Sequence, residues 1–418
     1  MGRDRLHTEL IAGLDIGSSA VRIAVGQFTS SKESRSNLQI IGAVSVAAEG
    51  VQKGQITSIE DTVSCVSQAL EHIEKMIGVP IEHVWVGVSG NQIIVQESKG
   101  VIAVSRTTGE IAPEDIERAV DAAKAISTPL NYEILHVLPR SFAVDGQTGI
   151  KDPVGMTGIR LEVDTKIIYS VSSHIKNLTK VIYRAGVDID DFVLSILAAG
   201  YVVTNGRQKD LGCVVINIGG PTTSIVVYED GDVLHSAVIP IGSAHITNDL
   251  ALGLRVSIDI AERLKTQYGE CVSKDISKKE VVDLLDVGSD KSEVVTRYYI
   301  AQIIEARVAE ILEKIDEELV RIERSGILPA GAIFVGSGSK ISGLVDSAKE
   351  GLSLPAQLGY PLGVDSIIDK VNDIAFAPAV GLVKWGSFSS QNTRRHLSFS
   401  LKGKVGEKVK GIFKSLVP

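Results

Sequence analysis

Two stretches of the chain repeat one arrangement of apolar and polar positions. The first, IAGLDIGSSAVRIAVGQF, covers residues 11–28, and the second, VVINIGGPTTSIVVYEDG, covers residues 214–231. Each consists of an apolar run, a turn of glycine and hydroxyl-bearing residues, and a second apolar run, which is typical of a β-hairpin. The repetition predicts two related halves within one molecule.

Helical and strand-like periods alternate through the rest of the chain. Between Ile59 and Ile77, apolar residues recur at the spacing of one helix face. Residues 295–322 predict a long amphipathic helix, and residues 331–352 predict a strand, a glycine loop and a helix. The elements together indicate a mixed α/β fold.

Composition narrows the class of protein. The 418 residues are 44% hydrophobic and 22% charged, which is ordinary for a globular chain of about two to four domains. The net charge of −8 argues against a nucleic-acid-binding protein, which would be basic. Cys65, Cys213 and Cys271 are too scattered for a disulfide framework or a zinc site, and this favours a reducing cytoplasm. We expect neither a signal peptide nor a membrane-spanning segment.

The last segment differs from the rest in charge. Residues 391–418 contain seven Lys or Arg residues and one Glu, a formal charge of +6, which leaves −14 on the remainder. Within residues 401–418, one helix face would be apolar and lysines would surround it. The apolar positions are Val405, Val409, Ile412, Phe413 and Leu416, and the lysines include Lys408, Lys410 and Lys414. This pattern predicts an amphipathic helix for an anionic membrane surface, although a helix docked on its own domain has the same pattern.

The glycine turns predict phosphate binding. A strand that ends in such a turn exposes backbone N–H groups, and glycine lets a ligand approach closely. Asp15, just before the first turn, could bind a water molecule of Mg²⁺, which keeps most of its waters. A single turn of this kind is usually an ordinary hairpin, but two in the same register could enclose a di- or triphosphate. A third glycine loop, FVGSGSKISG at residues 334–343, lacks the spacing of a dinucleotide fingerprint.

Two hairpins, a third glycine loop and a following helix resemble the order found in the actin/Hsp70/sugar-kinase superfamily. Within it, five stretches resemble the FtsA family of bacterial cell-division proteins. These stretches read ILHVLPRSFAVDGQTGIKDPVGMTGIRLEV, IPIGSAHITNDLALGL, AERLKTQYG, IIEARVAEIL and FAPAVGLVKWG. The resemblance covers about residues 10–386 and also the tail.

The resemblance implies an actin-like, ribonuclease H-like fold of two lobes, with a small inserted domain and a C-terminal amphipathic helix. The first lobe would comprise residues 8–82, 165–205 and 374–388, with residues 83–164 as the inserted domain. The second lobe would have a core of residues 206–248 and 326–373 and an outer subdomain of residues 249–325. A linker, 389–400, and the membrane-targeting helix, 401–418, would follow.

The cofactors implied by the resemblance are ATP and Mg²⁺, with Asp15 holding the metal through water. Matching positions in the first phosphate loop are Asp15, Gly17, Ser18 and Ser19, and those in the second are Asn217, Gly219, Gly220, Thr222 and Thr223. The adenosine loop matches Gly336, Ser337 and Gly338, and the ribose and base contacts match Glu262 and Lys265.

Several positions depart from the family pattern. The second loop usually has aspartates at the positions of Asn217 and Ser224, and a glycine where Pro221 stands. The first loop usually carries a lysine where Ala20 stands, and the third usually has glycine at Ser337. Asparagine cannot supply negative charge or act as a base. We therefore assign no catalytic residue and expect ATP hydrolysis to be weak or absent.

The resemblance also implies partners and a location. Arg297 and Arg307 would receive the acidic C-terminal peptide of the tubulin-like ring protein FtsZ, unless they form ordinary surface ion pairs. Self-assembly into filaments, contacts with other division proteins and peripheral attachment to the cytoplasmic face of the cell membrane at the forming septum would complete the role. Other interpretations are a PilM-type pilus-assembly adaptor and a phosphotransferase or chaperone-type ATPase.

Overall fold

The computed structural model describes residues 10–29, 37–105, 108–125, 129–290, 292–366 and 368–399. The first lobe opens with two long antiparallel pairings, β1 with β2 and β2 with β3, followed by a small hairpin and a helix. Its elements are β1 (Leu10–Ile16), β2 (Ala20–Thr29), β3 (Asn37–Ala47), β4 (Val51–Gln52), β5 (Gln55–Ile56), α1 (Ile59–Ile77) and β6 (His83–Val88). β6 lies parallel to β1.

The helix predicted from apolar spacing is α1. Ser58 caps its first turn by accepting a hydrogen bond from the Asp61 N–H, and Gly78 ends it in the left-handed conformation that glycine adopts easily. Val66, Leu70 and Ile73 are buried against the first sheet, while the ends of the same apolar face are partly buried. The 3.6-residue period therefore identified both the helix and its buried face.

A separate sheet and one helix form an inserted domain between β6 and α3. Its elements are β7 (Ile93–Ala103), α2 (Pro113–Lys124), β8 (Tyr132–Val144), β9 (Gln147–Ile150) and β10 (Arg160–Val171). The sheet has the order β7-β10-β8-β9, and α2 packs closely on it: a Cβ at Gly100 of β7 would lie 1.9 Å from the Ala119 carbonyl oxygen. The first lobe then resumes with α3 (Ser172–Arg184), β11 (Asp188–Leu194) and α4 (Ser195–Val203).

The second lobe repeats the hairpin, and a helical subdomain lies on its outer side. It contains α5 (Gly206–Leu211), β12 (Cys213–Ile218), β13 (Thr223–Glu229), β14 (Asp232–Ile239), α6 (Ser243–Leu254), α7 (Ile258–Tyr268), β15 (Val281–Asp283), β16 (Val294–Thr296), α8 (Arg297–Arg321), β17 (Ala332–Val335), α9 (Leu344–Leu352) and β18 (Ala356–Leu358). The short strand β19 (Asp365–Ser366), within the range expected for the second lobe, instead pairs with β3 of the first lobe. The last helix, α10 (Ala377–Phe399), returns to the first lobe and packs on α4 and β1.

The two main sheets share one topology. The first has the order β11-β6-β1-β2-β3, with β19 added beyond β3, and the second has the order β18-β17-β12-β13-β14. In both, a central strand pairs antiparallel with the strand after it and parallel with a later one. The duplication expected from the two similar hairpins therefore extends to five strands in each lobe.

Three boundaries differ from those expected. β6 belongs to the first sheet because it pairs with β1 and β11, so the inserted domain begins after His83–Val88 rather than at His83. β10 extends to Val171 because its pairing with β8 continues past residue 164. Residues 389–399, expected to be a linker, continue α10, since no Gly or Pro interrupts the helix there. The amphipathic tail, residues 401–418, lies outside the described residues.

Candidate functional site

The two glycine turns have the same backbone geometry. The Gly17 N–H donates to the Ala20 carbonyl at 3.1 Å, and the Gly219 N–H donates to the Thr222 carbonyl at 2.9 Å. Within the described parts of the chain, the backbone N–H groups of Ser18 and Gly220 have no acceptor. Each turn therefore presents backbone donors that an anion could use.

The turns face each other across a cleft between the lobes. A Cβ placed on Gly220 would lie 2.5 Å from the Ser19 hydroxyl oxygen. The third glycine loop adjoins the second hairpin, since a Cβ on Gly336 would lie 2.1 Å from the Asn217 side-chain oxygen. Gly336 also has φ of +90°, a conformation that side chains disfavour. Glycine at these positions lets three backbone segments converge.

The cleft brings together nearly all the predicted phosphate-loop residues. Its walls comprise Asp15, Gly17, Ser18, Ser19, Arg22, Gly54, Ser89, Ser195, Asn217, Gly219, Gly220, Pro221, Thr222, Ser224, Gly336, Ser337, Ala375 and Pro378. The water-accessible space inside is about 60 Å³, well below the ~300–1,000 Å³ of typical ligand pockets. The donors are in place, but the lobes would have to separate to admit a large ligand.

Two predicted loop residues lie behind the cleft. Thr223 is buried, and its hydroxyl donates to the Ile241 carbonyl at 2.8 Å. Gly338 packs against Ile218, where a Cβ would come within 2.5 Å of that side chain. Both residues support the loops and do not line the cleft.

Asp15 is the one carboxylate among the described residues that line the cleft. It is buried, and desolvation raises its pKa above the ordinary value, because burial disfavours the charged form. A hydrogen bond from the Ser195 hydroxyl to Oδ1, 2.8 Å long, and the charge of Arg22 act in the opposite direction. Ser195 begins α4, so the second half of the first lobe holds this carboxyl group in place.

Glu262 and Lys265 form a cluster that is connected to the second turn through Ser243. The Lys265 ammonium is buried and donates to Glu262 at 2.6 Å and to the Thr247 hydroxyl at 2.8 Å. Ser243, whose carbonyl also approaches this ammonium at 3.4 Å, donates through its hydroxyl to the Gly219 carbonyl at 3.0 Å. The pair is therefore linked to the turn, although neither residue lines the cleft as it stands.

Arg297 and Arg307 already bind carboxylates of the same chain. Arg307 makes a two-pronged contact with Asp249, at 2.5 and 2.9 Å, and a third hydrogen bond to Glu310. Arg297 pairs with Glu280 at 2.8 Å. Both arginines lie on α8 in the outer part of the second lobe, away from the cleft. They are part of intramolecular ion pairs, and a partner carboxylate would have to compete with these.

Sequence reasoning missed several cleft residues. Arg22 is a charged residue within the apolar run of β2, and this break in the pattern could have marked it as a site residue. In the pairing of β1 with β2 it lies directly opposite Asp15. Gly54 donates from its backbone to the Ser18 hydroxyl at 2.9 Å, and Ser195 carries no local signal at all. Across the described ranges there is no cluster of acidic, His or Cys residues that could hold a metal alone. Nor does any helix in those ranges combine the length and apolar character needed to cross a bilayer.

Comparison with known proteins identifies relatives of nearly full length. The family model "Cell division protein FtsA" matches residues 214–381, and "SHS2 domain inserted in FTSA" matches residues 90–169. The FtsA of Bacillus subtilis is 36% identical over 397 residues, covering 94% of this chain and 87% of that protein. The FtsA of Escherichia coli K12 is 30% identical over 409 residues, covering 96% of each.

Solved structures share the fold at low identity. The PilM-PilN type IV pilus biogenesis complex matches with a TM-score of 0.65 and 16% identity, covering 90% of this chain and 98% of the other. MreB5 of Spiroplasma citri bound to ADP matches with a TM-score of 0.54 and 13% identity, covering 94% and 99%. The expected actin-like fold with an inserted domain is confirmed.

Proposed function

Because the chain belongs to the FtsA family of cell-division proteins, we propose that it is an ATP-binding adaptor that tethers the FtsZ ring to the cytoplasmic membrane. The observation that carries the nucleotide part of this proposal is the pair of matching turns, which face each other across one cleft. The donor groups for a polyphosphate come from both lobes, so a nucleotide would join the two halves.

The chemistry of the cleft fits ATP with Mg²⁺. The turns at Ser18 and Gly220 offer backbone donors, and Asp15 offers one carboxylate, which is what Mg²⁺ needs when it keeps its own waters. A bound Mg²⁺ would neutralise phosphate charge and favour the ionised form of Asp15. Structures of MreB5 bound to ADP and to AMPPNP support a nucleotide in this fold. Opening of the lobes would bring Glu262 and Lys265 to the ribose and base, and the loop of Gly336, Ser337 and Gly338 to the adenosine.

Hydrolysis is not required for this role. Asn217 and Ser224, which pair opposite each other in the second hairpin, add no carboxylate to the cleft. An enzyme of the phosphotransferase or chaperone type would need a group that takes a proton from the attacking oxygen. We therefore propose that bound ATP sets the state of the adaptor and its self-assembly into filaments.

The outer face of the second lobe suits an acidic, partly apolar peptide such as the FtsZ C-terminus. Leu252 on α6 is 78% exposed and Tyr299 on α8 is 45% exposed, and a Cβ on Gly253 would lie 2.8 Å from Ile303, so α6 and α8 pack closely here. Arg307 lies two turns further along α8 from Tyr299. A peptide carboxylate would replace Asp249 or Glu310 on this arginine while apolar side chains cover Leu252. Arg297 would be a second, weaker contact.

The tail supplies the proposed membrane contact. Residues 401–418 follow soon after the end of α10 at Phe399, and their apolar face is ringed by lysines. Such a helix binds anionic lipid through burial of its apolar face and through charge attraction. Attachment would be peripheral, on the cytoplasmic face at the division site, where other division proteins would be recruited.

A PilM-type adaptor is the alternative with the strongest structural support, because its fold is similar with a TM-score of 0.65. Its 16% identity supports only the fold, whereas FtsA relatives reach 36%. The test is sedimentation of the purified protein with anionic liposomes, with and without ATP and FtsZ. We expect the protein to bring FtsZ to the liposomes, and to do so better with ATP. Failure to bring FtsZ down in any condition would contradict the tethering role.

A further inference from the structure

Within the described ranges, the chain passes between the two lobes at two places. Residues 204–212 lead from α4 of the first lobe to β12 of the second sheet, and residues 359–364 lead from β18 back to β19 beside β3. The second of these segments is held against the first lobe, since the Leu362 N–H donates to the Val202 carbonyl of α4 at 2.7 Å. Rotation of one lobe against the other must bend both segments, and together they form the hinge of the molecule.

Two lysines share one aromatic ring at this hinge. The Lys209 ammonium on α5 lies 5.2 Å from the centre of the Tyr201 ring on α4, and the Lys384 ammonium on α10 lies 5.0 Å from the same centre. Lys209 also lies 4.9 Å from the centre of the Tyr228 ring on β13. An aromatic face attracts a cation, but it carries no net charge. The hinge therefore holds two positive charges around a single neutral ring.

No carboxylate in the described part of the chain neutralises either lysine. Lys384 donates to the carbonyls of Leu362 at 2.8 Å and Tyr201 at 3.4 Å, and the ammonium of Lys209 has only its aromatic contacts. Both side chains are partly buried. Burial lowers the pKa of each, and the charge of Lys209 helps to lower that of Lys384 to about 8. The buried Tyr228 hydroxyl also has no hydrogen-bond partner among the described residues. With the lobes closed on the narrow cleft, these groups are poorly compensated.

The contact of Lys209 with Tyr201 joins the two lobes. α5 is bound to the second lobe, because the carbonyls of Lys209 and Asp210 accept hydrogen bonds of 3.3 and 3.2 Å from the turn between β13 and β14. Tyr201 and Lys384 lie on α4 and α10, which pack on each other in the first lobe. Opening of the lobes would therefore carry Lys209 away from Lys384, which weakens the repulsion between the charges and gives both more water.

We propose that the like charges of Lys209 and Lys384 oppose closure of the lobes, so that the hinge sets how fast nucleotide enters and leaves the cleft. This inference rests on the proposed nucleotide-binding function. The described lining of the cleft contains neither lysine, so both act on the balance between open and closed lobes. Phosphates bound to the turns of both lobes would supply the attraction that overcomes the repulsion.

The direct test reverses one of the two charges. Lys209→Glu should form an ion pair with Lys384 and hold the lobes closed, whereas Lys209→Gln should only remove the repulsion. We follow release of a fluorescent ATP analogue from the full-length protein by stopped flow, with Mg²⁺ present. Release should slow roughly 2–5-fold in Lys209→Gln and roughly 5–20-fold in Lys209→Glu, the range for one and for two such charge effects. Lys349→Gln, which removes an exposed lysine on α9 of the second lobe, is the control and should leave the rate unchanged.

A second measurement follows the lobes without nucleotide. Fluorophores on Lys75→Cys in the first lobe and Lys274→Cys in the second lobe report energy transfer between the lobes. Both lysines are exposed, and the three native cysteines are buried and would not be labelled. In the nucleotide-free protein, Lys209→Glu should shift the transfer efficiency in the direction in which ATP shifts it in the native protein.

The pH dependence of release is a readout that a purely structural role would not change. The pKa of Lys384 is lower with the lobes closed than in water, so closure releases a proton and a rising pH favours closure. Release from native protein should slow between about pH 7 and 9, and Lys384→Arg, which stays charged, should reduce this dependence. The charged or titratable groups around Lys384 are Lys209, whose loss of a proton acts in the same direction, and Tyr201. Burial raises the pKa of Tyr201 and raises that of Cys213, beside Lys209, to about 12, so both stay neutral in this range.

The outcomes separate this inference from the function on which it rests. If native protein binds no nucleotide, the proposed function is overturned, and an unchanged transfer efficiency in Lys209→Glu overturns the inference as well. If native protein binds nucleotide, equal or faster release from Lys209→Glu overturns the inference alone. If Lys209→Glu does not fold, the pH profiles of native and Lys384→Arg proteins decide, and profiles of equal slope overturn the inference.

Discussion

Asp15 and Asn217 occupy equivalent positions in two hairpins that face each other across one cleft. Each is the second-to-last residue of its strand, and each pairs with the residue five positions beyond the turn glycine, Arg22 or Ser224. The turns close with the same hydrogen bond, from Gly17 to Ala20 and from Gly219 to Thr222. The two halves thus agree in backbone and differ in charge, and the first prediction concerns that difference.

Asn217→Asp should raise the rate of ATP hydrolysis. The substitution is isosteric, so it fits beside Gly336, and it adds a carboxylate that can accept a proton or bind a metal-bound water. A general base contributes about 10²–10⁴-fold to a rate, and with Pro221 and Ser224 unchanged we expect at least about tenfold. Steady-state phosphate release provides the measurement, with Asn217→Ala as the control that should not gain activity. Native turnover of about 1 per second or faster would contradict our interpretation of this loop.

Stability should fall as the pH drops below neutral because of His174. This histidine is buried in α3, its Nε2 has no partner among the described residues, and burial lowers its pKa from 6.5 to about 4. The unfolded chain therefore binds a proton between these pH values while the folded chain does not. Unfolding free energy should decrease by up to roughly 3 kcal/mol as the pH falls from 6.5 to about 4.

Urea unfolding at several pH values between 7.5 and 4 checks this prediction. His174→Gln should flatten the dependence in that window, since glutamine does not titrate. His72→Gln, which changes an exposed histidine on α1, should leave the curve as it is in the native protein. An equal slope in native and His174→Gln proteins would assign the pH dependence to other groups.

Arg307 and Asp249 should affect binding of an acidic FtsZ peptide in opposite directions. Arg307→Ala removes the proposed contact and should weaken binding of the peptide. Arg307→Glu should weaken this binding further, because the new carboxylate repels the acidic peptide. Asp249→Asn removes the charge of one of the two carboxylates that hold Arg307 and leaves Glu310 as its remaining ionic partner, so peptide affinity should stay the same or increase. Fluorescence anisotropy with a labelled peptide measures this, and ATP affinity should not change. Weaker binding in Asp249→Asn as well would indicate that the ion pair matters for local structure only.

The tail should anchor the protein to anionic lipid. Each lysine near such a surface contributes about 1 kcal/mol, and burial of Phe413 adds at most roughly 1.5–3 kcal/mol. Deletion from Leu401 onward, or Phe413→Glu, should release the protein from anionic liposomes and leave ATP binding unchanged. Ser415→Glu adds the same charge away from the apolar face and should retain most of the binding. Binding should also weaken with salt. Co-sedimentation of the truncated protein with anionic vesicles would remove the tail from its proposed role.

The sequence by itself determined those features that depend on neighbouring residues. Apolar period and turn chemistry identified both hairpins, the α1 helix and the internal duplication, because strand, helix and turn preferences are local. The same local stretches carried the family resemblance, which the relatives confirm. Most of the predicted phosphate-loop residues line one cleft for this reason, since a turn keeps its neighbours together wherever the fold places it.

Only the tertiary structure decided which distant residues meet. Ser195 reaches Asp15 across 180 positions, and Arg307 meets Asp249 across 58, so neither contact has a local signal. Strand pairing placed β6 in the first sheet, and it set Arg22 opposite Asp15 in the lining of the cleft. Such contacts depend on how whole elements pack, whereas periodicity reports only the face that one element buries. The charge of the cleft is therefore a property of the folded chain.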